Sequence, residues 1–208
     1  MRQLKTKRGD TIIEVTFAIA VFALIAVMAV GTMNSGVATA EASLETTMAR
    51  NEIDIQAESL RFVQNAYESS QSNNNYKALW DTITSNALAQ PPARPANSCD
   101  SAYASNGIVY NSKAFVLDPR NLGNGTSAYL AAGVSPSGSK FGVTPTHPRL
   151  IYSGGGGVLQ KSEGLWSVAV KDSTNKFYDF YIYACWYAPG RNVPTLVDTV
   201  IRLYNPGA

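Results

Sequence analysis

One carboxylate stands where a carboxylate is costly. Lys7-Arg8-Gly9-Asp10-Thr11-Ile12-Ile13-Glu14 leads straight into the apolar run Val15 to Val30, so Glu14 lies at the mouth of a stretch that reads as a membrane helix. A charge inside hydrocarbon is unfavourable by roughly 2.5–3.5 kcal/mol on insertion scales, less near a helix end, and such residues usually have a working partner. A cut between Gly9 and Asp10 would create an α-amine carrying positive charge at the membrane interface, and Glu14 of a neighbouring copy could pair with it. This is ion-pair chemistry between copies, the logic of a self-assembling filament.

Bond-making chemistry has thinner support. His147 is the only histidine and sits in Pro145-Thr146-His147-Pro148 with no acid nearby in sequence, as a surface-loop histidine would. Gly154 to Gly157 is followed by no Gly-Lys-Ser/Thr and no helical pattern, so it reads as a loop rather than a phosphate cradle. Asp118, Asn121 and Asn124 place three oxygen donors in a turn, but two are neutral and no bidentate acid follows, which favours a plain turn over a calcium loop. No catalytic residue, cofactor or metal site is expected, and the chain is not read as an enzyme.

A nucleic-acid reading draws on Lys113, Arg120, Lys140, Arg149, Lys161, Lys171, Lys176 and Arg191, with Tyr181 and Tyr183 as exposed stacking platforms for DNA. These cations are scattered, and solubility or attraction to an acidic segment of a neighbouring copy explains them equally well. The net charge of +2 conceals a division. Arg2, Lys5, Lys7 and Arg8 precede Asp10 with no acid among them; residues 10–69 carry two basic and eight acidic groups, and residues 70–208 eleven basic and seven acidic.

The elements that would position these groups follow from pattern. Thr11 to Met33 as a helix would span about 34 Å, enough for a bilayer of about 30 Å. Gly31, Asn34, Ser35 and Gly36 lower the local helix preference, either as a pliable joint or as small residues at a close helix contact. Ala38 to about Tyr67 has no proline or glycine and carries two apolar stripes, Leu44, Met48, Ile55, Phe62 and Ala66 on one side and Ile53, Ala57, Leu60 and Tyr67 on another. One stripe can bury against the chain's own head and the other can meet neighbouring helices; a surface helix with one wide apolar face is the simpler alternative.

Ser69 to Asn75 is a polar break, Tyr76 to Leu88 a second helix carrying Leu79, Trp80 and Ile83, and Gln90 to Ser98 an irregular segment holding Pro91, Pro92 and Pro95. Strands are expected at Ile108–Leu117, Leu150–Ser153, Leu165–Lys171, Phe177–Tyr187 and Leu196–Tyr204. Tyr178, Phe180, Ile182, Ala184 and Trp186 should form the core face, meeting Trp166, Val168 and Val170 on one neighbour and Val197, Ile201 and Leu203 on the other. Turns are expected at Ser173-Thr174-Asn175 and Pro189-Gly190-Arg191-Asn192. The fold class is α+β: a long N-terminal helix, membrane-embedded in its first half, packed against a C-terminal antiparallel sheet. The basic leader would stay in the cytoplasm and everything after Met33 outside. There Cys99 and Cys185 read as a disulfide, with two buried free thiols as the alternative.

The first segment resembles that of type IV pilins and secretion pseudopilins: a short basic leader, an obligatory glycine, then Phe-Thr-Leu-Ile-Glu and a long apolar run. The match is Gly9, Thr11, Ile12 in place of Leu, Ile13 and Glu14, over residues 1 to about 65, and Asp10 stands where the family usually has Phe. The resemblance implies a leader at 1–9, a transmembrane and stalk helix at 10–68 and a globular head at 69–208. It implies cleavage after Gly9 by a prepilin peptidase that also methylates the new amine, leaving methylation of Asp10 open. Glu14 becomes the assembly residue. The implied location is the bacterial cytoplasmic membrane, single-pass with the N-terminus inside, and then an extracellular filament. The implied partners are other pilins, the peptidase, the assembly platform and membrane lipid. A minor pilin whose head binds DNA or a surface is the alternative within this class. Outside it stand a secreted domain cut after Ala38-Thr39-Ala40 and a simple uncleaved anchor.

Overall fold

From Asp10 to Ser69 the chain is one helix, α1. The computed structural model describes residues 10–69, 74–95, 98–103, 113–132, 140–144, 146–154, 157–189 and 191–207, with side chains from Ile12 onward. The chain divides into two compact units at Ser43/Leu44. Of the described residues, the first holds the N-terminal part of α1. The second holds the rest of α1 and everything after it.

Within the second unit, α1 buries Ala49, Ile53, Gln56, Ala57, Leu60 and Val63, a stripe at three- and four-residue spacings on one side. Against it lie α2 (Asn74–Ser85) and one face of a five-stranded sheet. The sheet consists of β1 (Ala114–Leu117), β2 (Tyr129–Ala131), β6 (Leu165–Lys171), β7 (Phe177–Trp186) and β8 (Thr195–Tyr204) in the order β2-β1-β6-β7-β8, and every pairing is antiparallel. A smaller sheet joins β3 (Phe141–Gly142), β4 (Arg149–Tyr152) and β5 (Leu159–Glu163) in the order β3-β5-β4, with β3 parallel to β5. The chain is therefore α+β, a long apolar-headed helix packed against a C-terminal antiparallel sheet.

Phe180, Ile182, Ala184 and Trp186 are buried on the face toward α1, with Tyr178 partly buried beside them, as the alternation predicts. Trp80 of α2 sits edge-on to Phe180 and Tyr178 at 5.8 and 6.0 Å. Ile201 and Leu203 of β8 join that face opposite Phe180 and Tyr178. The expected partners on β6 need correcting. Ser167 pairs with Ile182 and Ala169 with Phe180, so Leu165, Ser167 and Ala169 face α1, while Trp166, Val168 and Val170 point to the other side with Tyr183, Tyr181 and Asp179. The reason is that β6 is buried on both faces, so its alternation carries no signal of direction.

The second face has its own cover. A short helix, α3 (Cys99–Tyr103), lies there, tied to β7 by the Cys99–Cys185 disulfide with its Cα atoms 5.6 Å apart. Tyr103 meets Trp166 edge-on at 5.6 Å, and Trp166 stacks on Tyr183 at 5.5 Å.

Several boundaries move. The second helix ends at Ser85, and Leu88 instead makes an isolated parallel bridge to Val170, exchanging bonds with the Ala169 carbonyl and the Lys171 amide. The strand expected at Ile108–Leu117 is seen as β1, with residues 108–112 outside the described set. The Ser173-Thr174-Asn175 turn closes β6 onto β7: Asn175 takes a positive φ of 56° and the Asp172 carboxylate accepts from the Thr174 amide and hydroxyl.

Candidate assembly surface

Among the described residues, one helix is long and apolar enough to cross a membrane, and the apolar stretch of α1 buries none of its surface within the chain. That separates it from the core helix of a soluble domain, which would be covered. Glu14 is the only charged residue between Thr11 and Ala40, and it is exposed among Ile12, Ile13, Val15 and Phe17. It lies one helical turn, about 6 Å along the axis, from Asp10, the first residue of α1. Gly9 lies outside the described residues, so the cleavage site has no geometry here.

Three threonines of this stretch are folded back on the helix. The Thr16 hydroxyl donates to the Ile13 carbonyl, Thr32 to Ala29 and Thr39 to Ser35, so those hydroxyls are satisfied without water. The helix continues without interruption through Gly31 and Gly36, and nothing lies within 4 Å of where a Cβ would stand at either. Their surface is open to a neighbour, and both the joint and the contact reading remain available.

In the second unit the two stripes separate in part, with Met48 and Ala66 of the outer one partly buried. Ile53, Ala57 and Leu60 are buried, with Tyr67 partly buried, whereas Leu44, Ile55 and Phe62 are 55%, 40% and 49% exposed. Beside the exposed stripe is a groove of about 630 Å³ whose lining includes Asp54, Ile55, Glu58 and Phe62 of α1 and Pro119 and Leu122 of the loop after β1.

Two devices place that loop. The buried Gln56 amide donates to the Leu117 carbonyl at 2.9 Å and accepts from the Leu117 amide at 2.8 Å, so a side chain from α1 completes the end of β1 like a neighbouring strand. Asp118, 1% exposed, then anchors the turn: its carboxylate accepts from the Arg120 amide at 3.0 Å, the Asn121 side chain at 2.7 Å and the Tyr152 hydroxyl at 3.4 Å. Arg120 stacks over the Tyr152 ring at 3.7 Å, and burial followed by the Asp118 charge pushes the Tyr152 hydroxyl up to about 12. The Asn75 side chain holds the Gly123 carbonyl at 3.1 Å.

The chain matches no protein-family model, no curated protein and no solved structure. The functional reading therefore rests on geometry and residue chemistry.

The structure brings together Asp118, Asn121 and Asn124, the last donating to Asn121 at 3.1 Å, as a turn whose carboxylate is occupied by protein donors. His147 lies at the bend before β4, partly buried. Of the basic set, Arg149 and Lys161 both engage Glu163, at 2.9 Å each, and Arg120 is held on Tyr152. Tyr183 is 2% exposed and is no stacking platform, a correction to the expectation, because α3 and Trp166 cover that end of the face. Tyr181 remains partly exposed. Sequence reasoning missed Gln56, Pro119 and Leu122. A glutamine in line with Ile53, Leu60 and Val63 on the buried stripe was the available signal, since a buried amide implies backbone partners.

Proposed function

We propose that this chain is a structural subunit of an extracellular filament of the type IV pilus or secretion pseudopilus kind. It is made as a precursor, cut after Gly9 by a prepilin-type peptidase, held in the cytoplasmic membrane by α1 and assembled by helix packing. The observation that carries the reading is the uncovered apolar half of α1 with its single carboxylate one turn from Asp10. In lipid that carboxylate has no partner within the apolar stretch; in a packed array of helices, the amine of a neighbouring Asp10 supplies one. The exposed Leu44, Ile55 and Phe62 offer a further apolar contact surface on the second unit.

The test is Glu14→Ala in the native cell, with the protein measured separately in the membrane and in the sheared surface fraction. Membrane insertion should be kept or eased, because a charge leaves the hydrocarbon, while polymer in the sheared fraction falls steeply. Filaments of normal abundance from that variant would remove the pairing argument.

A further inference from the structure

The groove beside α1 is lined by the apolar Ile55 and Phe62 of α1 and Pro119 and Leu122 of the loop after β1, and by two acids, Asp54 and Glu58. Glu58 is paired with Arg61, whereas Asp54 forms no ion pair among the described residues. An occupant must therefore offer an apolar knob beside a free cation. Among the described residues of the C-terminal half, four large apolar ones are exposed: Val158, Val193, Val200 and Tyr204. Val200 and Tyr204 lie in β8, opposite Tyr181 and Phe177 of β7. Val193 is 70% exposed in the loop between β7 and β8, followed by Pro194, which restricts the backbone, and preceded by Arg191. Arg191 is exposed, forms no ion pair among the described residues, and begins this loop with its amide bonded to the Ala188 carbonyl at 3.0 Å. Of the four, only Val193 combines a projecting apolar side chain with an unengaged guanidinium two residues away.

We propose that the groove receives the Arg191–Pro194 loop of a second copy of this chain, Val193 seated on Ile55 and Phe62 and Arg191 facing Asp54. The complementarity is also global, since residues 10–69 carry six more acids than bases and residues 70–208 four more bases than acids. Groove and loop are different patches of one surface, so each copy uses one of each and the contact repeats from copy to copy without being self-complementary. The proposal rests on the filament reading, to which it adds a contact between heads outside the membrane segment.

The experiment places a photo-activated benzoyl-phenylalanine at Val193 in the full chain. It is expressed in the native cell together with a copy carrying a different tag, and cross-linked peptides are mapped by mass spectrometry in the sheared surface fraction. The expected result is a cross-link from Val193 of one copy to residues 51–62 of the other. In parallel, Arg191→Glu and Asp54→Lys should each weaken assembly by up to about fivefold per contact, and the double exchange should restore it. Abundant filaments whose Val193 cross-links map elsewhere, or a double exchange no better than either single change, would overturn the groove contact and leave the filament reading standing. Absence of any polymer from the unsubstituted chain would overturn both.

Discussion

Replacing Gln56 by alanine tests how α1 is fastened to the sheet. Gln56 is fully buried and its amide satisfies both the N–H and the C=O of Leu117, itself fully buried. Each backbone group left without a partner costs roughly 1–3 kcal/mol, so the two together, with some relief from an entering water, should cost about 2–5 kcal/mol. For a folded unit of this size each kcal/mol moves the midpoint by about 2–4 °C, giving a fall of roughly 5–15 °C. The assay is thermal unfolding of the full chain in detergent micelles, followed by near-ultraviolet circular dichroism of the buried tryptophans. Asn51→Ala, an exposed polar position on the same helix, should stay within about 0.5 kcal/mol of the parent. Gln56→Glu adds a sign: at neutral pH a carboxylate oxygen faces the Leu117 carbonyl, and protonation in acid restores a donor. That variant should be at least as damaged as the alanine at neutral pH and regain part of the loss as pH falls. A Gln56→Ala protein as stable as Asn51→Ala would refute the reasoning.

Two further outcomes follow from the second unit. Cys99→Ser with Cys185→Ser should lower stability by up to about 4.5 kcal/mol, the chain-entropy limit for a loop closed over a separation of 86 residues. Hydrogen exchange should rise first in α3, which the disulfide ties to β7 and which otherwise rests on the burial of Ala102 and Tyr103; unchanged protection there would contradict the tether. For pH, Glu163 is partly buried, yet Lys161 and Arg149 hold its carboxyl below the ordinary 4.5, and Arg202 holds Asp179 below 3.8. Carboxylates lowered on folding stabilise above their unfolded values and lose that contribution as pH falls through the folded ones, so stability should drop below about pH 4. Glu52 works the other way, its pKa raised by burial above the ordinary 4.5, so a small gain should precede the drop as pH falls toward that value. Acid unfolding curves should show that order, and Asp179→Asn should make the drop shallower; a profile flat from pH 7 to 3 would contradict it.

How much was legible depends on whether a residue's environment is set locally. The apolar run around Glu14, the two stripes of α1 and the β6-turn-β7 hairpin follow from periodicity and turn chemistry, which act over a few residues. The faces of β6 do not: Leu165 to Val170 is buried on both faces, with Ser167 its one polar residue, and only pairing with β7 decides that Trp166 turns away from α1. Tyr183 and Cys185 share a face by simple alternation along β7, but what covers that face was not legible, since α3, five residues long, is too short to show a helical period. Gln56 and Leu117 are 61 residues apart, a separation no local pattern reports. The groove inherits this: its α1 wall was visible as the Ile55 and Phe62 stripe, while Pro119 and Leu122 are placed by the Asp118 turn and the Gln56 bond.

The central claim is that Asp10 becomes a terminus whose amine meets Glu14. Its most direct test is the N-terminal residue of the mature protein, measured by mass spectrometry in the membrane and sheared surface fractions of the native cell. The account predicts a chain beginning at Asp10 in the surface fraction, with or without a methyl group. A chain beginning at Met1 or at Glu41 there would contradict it.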